Sequence, residues 1–292
     1  MSALTHQAIP LCRFGLTSPE RPEVGKEQEG VSTTIPQPEM VIDRITTVQR
    51  LQVMTINTHK GFTALNRRFI LPELRSAVQA TGADLVFLQE VLGSHALHAK
   101  RFRDWPDIPQ YEFLADSMWP QFAYGRNAVY PNGHHGNALL SKFSIVEHNN
   151  LDVTVKGNEQ RGLLHCQLDV PGHAEVHAIC VHLGLRDSHR RKQISLLLDL
   201  LASLPATAPV IVAGDFNDWS LRADALLAEQ SLVEAFGATY GAPAKSFPAR
   251  FPLLCLDRIY VRNATAHTPV VLSTRPWSHL SDHAPLTAEI HL

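Results

Sequence analysis

The sequence predicts an α/β fold on three observations: a strand–helix–strand run over residues 51–88, a second helix and buried strand over residues 188–213, and several short β-rich segments between them. Leu51 to Ile56 alternates and is rich in β-formers, a first strand ending in the polar stretch Asn57-Thr58-His59-Lys60-Gly61. From Asn66 to Thr81 the residues Phe69, Ile70, Leu74, Ala77 and Val78 recur at helical spacing, with Gly82 as a C-terminal stop. Ala83 to Leu88 is a second buried strand, ending in Gln89-Glu90. These parts make a βαβ unit, which brings Asn57 and Glu90 to one edge of a sheet.

Residues 93–136 hold Trp105, Trp119, Tyr124, Tyr130 and several Pro and Gly, and read as a long loop region of the kind that walls a substrate site. Ala138 to Ser141, Ser144 to His148, Arg161 to Asp169 and Glu175 to Leu183 read as strands of an antiparallel meander, with His182 near the end of the last. Ser188 to Leu204 is an amphipathic helix stopped by Pro205. In Pro209 to Trp219, Val210 to Ala213 forms a strand buried on both faces, Gly214 turns the backbone, and Asp215 and Asn217 follow. Alone, Asp-x-Asn is ordinary turn chemistry. Leu221 to Gln230 reads as a helix, Gly237 to Arg250 as a loop, Leu256 to Val261 as a strand containing Asp257, and Ala284 to Ile290 as a last strand preceded by Ser281-Asp282-His283.

The 292 residues, 45 % of them hydrophobic, suffice for a full core. No apolar run approaches the roughly 18 residues of a membrane span, and Met1 to Leu16 lacks the pattern of a secretory leader. Cys12, Cys166, Cys180 and Cys255 are scattered without C-x-x-C spacing and read as reduced thiols, so a cytoplasmic location is expected. A net charge of −2 excludes a strongly basic surface that coats nucleic acid. Residues 1–47, with scattered prolines and charges and no periodic apolar pattern, read as a flexible extension, and residues 48–292 as a single catalytic domain.

Polar residues recur at the strand borders: Asn57, Glu90, His182, Asp215 with Asn217, and Asp282 with His283. Asp257 sits inside an apolar run, where burial without a partner costs on the order of several kcal/mol, so a histidine mate is expected. The candidate ligands are carboxylate and amide oxygens rather than thiolates, which suits Mg²⁺ or Mn²⁺ and, through them, phosphate.

In order, Asn57, Leu88-Gln89-Glu90, Val181-His182-Leu183, Gly214-Asp215-Phe216-Asn217, Leu256-Asp257-Arg258-Ile259-Tyr260 and Ser281-Asp282-His283 resemble the motifs of the endonuclease/exonuclease/phosphatase superfamily over residues 51–292. That group includes pancreatic-type deoxyribonuclease, exonuclease III-like enzymes, neutral sphingomyelinases and inositol polyphosphate 5-phosphatases. The likeness is strongest to its small bacterial members of unassigned substrate. The resemblance implies a four-layer α/β sandwich of two packed mixed sheets flanked by helices.

It also implies roles. Glu90 would be the main metal carboxylate, with Asn57 and Asp282 completing the shell around Mg²⁺ or Mn²⁺. Asp215 would position or deprotonate the attacking water and Asn217 would hold it. His283, oriented by Asp257, would stabilise charge on the phosphorane, and His182 would meet the phosphate or leaving oxygen. Asn137, Arg161 and Arg186 are further substrate-binding candidates, Asn137 equally a cap or turn residue; His59 and Lys60 adjoin the metal motif as site neighbours or as solvated groups, and Trp119, Tyr124 and Trp277 are stacking residues or loop anchors. The expected activity is metal-dependent phosphodiester hydrolysis with nucleic acid as a candidate partner. The alternatives are a lipid or small-molecule phosphoesterase and a non-catalytic binding module.

Overall fold

Among the described residues, twelve strands assemble two six-stranded sheets that face each other. The structure, a computed structural model, describes residues 49–156 and 159–292; the extension expected over residues 1–47 lies outside the described residues. In chain order β1 (Arg50–Asn57), α1 (Leu71–Ala80), β2 (Leu85–His95), α2 (Ala96–Arg101), α3 (Gln110–Ala115), β3 (Gln121–Tyr130) and β4 (Gly133–Ser141) come first. They are followed by β5 (Ser144–Asp152), β6 (Gly162–Asp169), β7 (Val176–His182), α4 (Asp187–Ser203), β8 (Val210–Asp215) and α5 (Arg222–Ala228). The chain closes with β9 (Val233–Glu234), α6 (Ala235–Tyr240), β10 (Asp257–Arg262), β11 (Thr265–Val271) and β12 (Leu286–His291).

The first sheet has the order β11-β12-β1-β2-β4-β3 and the second β5-β6-β7-β8-β10-β9. Each is mixed. The parallel pairs are β1 with β2 and β7 with β8, each bridged by a crossover that carries a long helix, α1 or α4. The period of two along each strand then sorts side chains into layers. Leu51, Val53, Phe87, Ile211, Ala213 and Ile259 point into the gap between the sheets. Met54, Ile56, Val86 and Leu88 point outward, beneath Leu71, Leu74 and Val78 of α1 and Leu114 of α3. On the far side Ile179, Val181, Val210 and Val212 meet Ile194, Leu197 and Leu201 of α4 and Leu227 of α5. The result is a four-layer α/β sandwich.

Several expectations are corrected. Residues 93–136 are not a loop: β2 runs on to His95, two short helices follow, and β3 and β4 form a hairpin on the edge of the first sheet. Because β4 pairs with β2, only β5, β6 and β7 make the antiparallel meander, and the chain changes sheet between Ser141 and Ser144. Helix α1 starts only at Leu71, with Pro72 in its first turn, because Phe69 is drawn into a bridge with Phe62. The 237–250 loop begins as the end of α6, and edge strand β11 is additional. No helix among the described residues is long and apolar enough to cross a membrane.

Candidate active site

The same period of two decides what lies at one end of the sandwich. Asn57, His182, Asp215 and Asp257 continue the inward-facing rows of β1, β7, β8 and β10, so all four turn into the gap where the apolar core ends. Registry aligns them: His182 and Asp257 both pair with Asp215, one on each side. The carboxyl ends of parallel strands supply three of the four, the position at which open α/β sheets present ligand sites.

Gly214 permits this crowding. Its φ is 150°, and a Cβ there would sit 2.0 Å from the carbonyl oxygen of Val181, so β7 and β8 approach more closely than any side chain allows. Glu90 arrives differently. Gln89 and Glu90 together oppose the single residue Asn137 between the paired positions Leu88–Ala138 and Val91–Gly136, a β-bulge that swings the carboxylate out of the alternation. His59, Lys60, Glu90 and Asn217 all line the cleft with φ of 45°, 58°, 55° and 49°, left-handed values that strain a side-chain-bearing residue.

Within this cleft of 380 Å³ the polar groups form one network. His283 Nδ1 lies 2.8 Å from Asp257 Oδ2, and its Nε2 is 3.9 Å from Asp215 Oδ2. Asp215 Oδ2 also accepts from Asn57 Nδ2 at 3.2 Å and stands 3.6 Å from His182 Nε2, while Oδ1 accepts from the backbone N–H of Asn217 at 2.9 Å. Asn217 Nδ2 donates to the carbonyl of Leu183 at 3.0 Å. Lys60 Nζ is 2.6 Å from Glu90 Oε2, and His59 Nδ1 is 3.2 Å from Asp282 Oδ2. Ser281 Oγ donates to the carbonyl of Asn57 at 2.6 Å, tying the Ser281-Asp282-His283 turn to the end of β1.

Burial and neighbouring charge set opposite protonation tendencies on these groups. Burial pushes the Asp215 carboxyl up to about 7; the His283 imidazolium works against that rise and the Asp257 carboxylate with it. Burial disfavours charge on His283 too, but Asp257 and Asp215 outweigh it and raise the imidazole to about 10. His182 moves the other way, held well below the usual range by burial and then by Arg161. Burial would raise Glu90, yet the charge and hydrogen bond of Lys60 hold it well below the usual carboxylate range. The arrangement is an ionised carboxylate beside an ammonium, a protonated imidazole beside two acids, and a neutral imidazole opposite.

Two clusters carry ligating atoms. Asp215, Asp257 and His283 offer atoms within 4.8 Å of one another. There the imidazolium already supplies the positive charge and its Nδ1 is engaged by Asp257, so that cluster fits proton handling rather than a metal. Glu90 and Asp282 line the same cleft as Asn57 and offer hard oxygens with no thiolate, a donor set that fits Mg²⁺ or Mn²⁺. Asn57 is more constrained than expected, because its Oδ1 accepts from the N–H of His59 at 3.0 Å while its Nδ2 serves Asp215.

The structure brings Asn57, Glu90, His182, Asp215, Asn217, Asp282 and His283 into the lining of one cleft, with Arg161 beside them and Asp257 immediately behind. It does not bring Asn137 or Arg186 there. Asn137 is fully buried, and its Nδ2 donates to the carbonyl of Gly162 at 2.8 Å, joining the two sheets beneath the cleft. Arg186 is exposed where α4 begins. Arg161 Nε is spent on the carbonyl of Leu183 at 3.1 Å. Trp119 and Trp277 are buried anchors, the former donating to the carbonyl of Ala83 at 3.0 Å. His59 and Lys60, read as solvated, are the partners of Asp282 and Glu90; their place beside the Asn57 motif was the available signal.

Known proteins share this architecture. A crystal structure of an endonuclease/exonuclease/phosphatase from Beutenbergia cavernae superposes with a TM-score of 0.66 at 21% identity, covering 83% of this chain and 72% of that one. TDP2 from D. rerio, crystallised with a single strand DNA product, gives a TM-score of 0.60 at 19% identity over 83% of this chain and 99% of its own. In sequence, the uncharacterized protein YbhP of Escherichia coli K12 is 57% identical over 244 residues, 82% of this chain and 96% of YbhP. The sequence pattern of the Endonuclease/Exonuclease/phosphatase family matches residues 54–283, a span that holds every candidate site residue, and the chain belongs to that family.

Proposed function

We propose that residues 48–292 form a divalent-metal-dependent phosphoesterase that cleaves a phosphodiester by in-line attack of water. The observation that carries this reading is the opposed pair Asp215 and His283: a carboxylate raised to about 7 and an imidazole raised to about 10, both turned into one cleft. Asp215 takes the proton of the attacking water, fixed by Asn57 and by the N–H of Asn217. With Nδ2 committed to Leu183, Asn217 turns its remaining oxygen to the same water. His283, protonated and clamped by Asp257, offers its Nε2–H to an oxygen of the phosphorus centre. His182, neutral, donates to the phosphate or the leaving oxygen. Glu90 and Asp282, with Asn57 beside them, would hold Mg²⁺ or Mn²⁺, which neutralises charge on the phosphoryl oxygens when bound.

Family membership supports phosphoester chemistry, and the DNA product held by D. rerio TDP2 supports nucleic acid as one candidate substrate. A lipid phosphodiester is the second reading, favoured by the rim of the cleft described below. Hydrolysis of bis(4-nitrophenyl) phosphate with Mg²⁺ tests the chemistry: the wild-type chain should turn it over, and Asp215→Ala and His283→Ala should each lose activity by roughly 10²–10⁴-fold while keeping the fold. Full activity in either variant sinks the mechanism.

A further inference from the structure

The mouth of the cleft is ringed by side chains that water does not favour. Leu65, Leu185, Trp219, Phe251, Leu253 and Leu254 are 75%, 52%, 50%, 77%, 67% and 40% exposed. They belong to four separate segments, yet they meet around one point. Leu185, Trp219 and Leu254 line the catalytic cleft, Leu65 and Phe251 line the adjoining concavity of 390 Å³, Asp282 lines both, and Leu253 lies in the chain between Phe251 and Leu254. The Arg190 guanidinium lies 4.5 Å over the Trp219 ring and props it outward. Scattered exposed apolar residues are ordinary, but several converging on the entrance to a reactive cleft mark an interaction surface.

Asp282 faces His59 at 3.2 Å, and the charged side chains without a partner around the rim are arginines. Arg67 and Arg250 line the second concavity, Arg186 follows Leu185, and Arg275 is close enough to His279 of that concavity for their charges to interact. All four are exposed, and none has a carboxylate within ion-pair distance among the described residues. The chain as a whole carries a net charge of −2, so these unpaired cations are a local feature of the rim. Apolar side chains flanked by unpaired arginines complement a surface with an anionic face and an apolar interior. A second copy of this chain fits poorly, because a two-fold contact would set the arginines of both copies against each other. Single-stranded nucleic acid would use arginines and aromatic rings, but four of the six apolar groups are leucines, which offer a base no stacking face.

We propose that this rim docks the protein on an anionic lipid surface, so that the phosphodiester of a lipid headgroup enters the cleft beside it. The proposal rests on the phosphoesterase reading for what happens after docking, but docking itself is measured without turnover. The full chain is mixed with phosphatidylcholine vesicles, with vesicles containing about a third phosphatidylglycerol, and with a single-stranded oligonucleotide, and binding is read by co-sedimentation or fluorescence anisotropy. The anionic vesicles should bind at least about tenfold more tightly than the neutral ones, and high salt should weaken that binding. The pairs Phe251→Ser with Leu253→Ser, and Arg67→Glu with Arg250→Glu, should each lose at least about tenfold in vesicle binding while thermal melting and turnover of bis(4-nitrophenyl) phosphate stay at wild-type values.

Absence of binding to anionic vesicles overturns the proposal, as does binding that neither pair of substitutions weakens. Oligonucleotide binding through these residues without vesicle binding overturns it in favour of nucleic acid. A chain that binds vesicles through the rim yet hydrolyses no phosphodiester keeps the docking surface and removes the phosphoesterase reading.

Discussion

Asp257 holds His283 from behind: its Oδ2 lies 2.8 Å from Nδ1 of the imidazole, and the opposite ring nitrogen stands 3.9 Å from Asp215. Both residues are buried, so solvent cannot take over the task. Asp257→Asn keeps the shape and removes the charge that favours the imidazolium. It is expected to lower kcat on bis(4-nitrophenyl) phosphate by roughly 10²–10⁴-fold with little change in KM. Steady-state kinetics beside a thermal melt check this; a kcat within about twofold of wild type contradicts the role.

The pH profile follows from the same trio. As the proposed base Asp215 would work only when ionised, and burial raises it to about 7, so kcat/KM should climb as pH rises through about 7. In the proposed role His283 would have to keep its proton; Asp257 and Asp215 overcome burial to raise it to about 10, so the rate should fall as pH rises through about 10. The expected curve is a bell between these limits, with the upper limb moved to lower pH in Asp257→Asn. A profile that is flat between about pH 6 and pH 8 excludes Asp215 as the base.

Removal of divalent metal with EDTA is expected to abolish turnover, and Mg²⁺ or Mn²⁺ to restore it. Glu90→Gln should raise the metal concentration for half-maximal rate by at least about tenfold, because a neutral amide replaces the charged hard oxygen. Titration of each metal into the stripped wild-type and variant chains makes the comparison. Equal requirements in the two would move the metal away from Glu90.

Gly214→Ala tests the close approach of β7 and β8. Its Cβ would meet the Val181 carbonyl oxygen at 2.0 Å, backbone that has no side chain to swing aside. The strands must separate, at a cost of about 1–3 kcal/mol or more, and His182 must move away from Asp215. Urea unfolding should show the lost stability, and turnover should fall with it. Wild-type stability in this variant would show that the strands have room to spare.

How much of this was legible in the residues varies with burial. The interior strands announce themselves because apolar runs such as Val210 to Ala213 are buried on both faces and stop abruptly at a polar residue. Edge strands β3 and β11 bury few of their side chains, carry Gly125 or Pro269, and so look like loop. Sequence order also hides the change of sheet between β4 and β5, since a two-residue link serves a hairpin equally well. Within the site, the partner of Asp257 could be anticipated from the cost of burying a carboxylate alone. The pairings of Lys60 with Glu90 and His59 with Asp282 could not, because a polar stretch ending in glycine reads as a solvated turn until its left-handed backbone aims it inward. Asn137 misleads for the converse reason: it lies in the middle of β4, where its amide satisfies a carbonyl of the other sheet.

The bulge at Glu90 makes strand length part of how the candidate site is built. Leu88 and Val91 both pack into the outer layer with α1, although three positions apart, because the extra residue between them resets the alternation. Deleting one residue there would heal the ladder and take the carboxylate out of the cleft: Glu90 would fall into the buried inward place that Gln89 now holds beside Thr55 and Cys180, or be lost. The strand therefore tolerates exchange of letters better than a change in their number. A single-codon deletion that preserved every candidate active-site side chain in the sequence would still dismantle the site, and insertions and deletions in β2 are the changes to watch in any redesign of this scaffold.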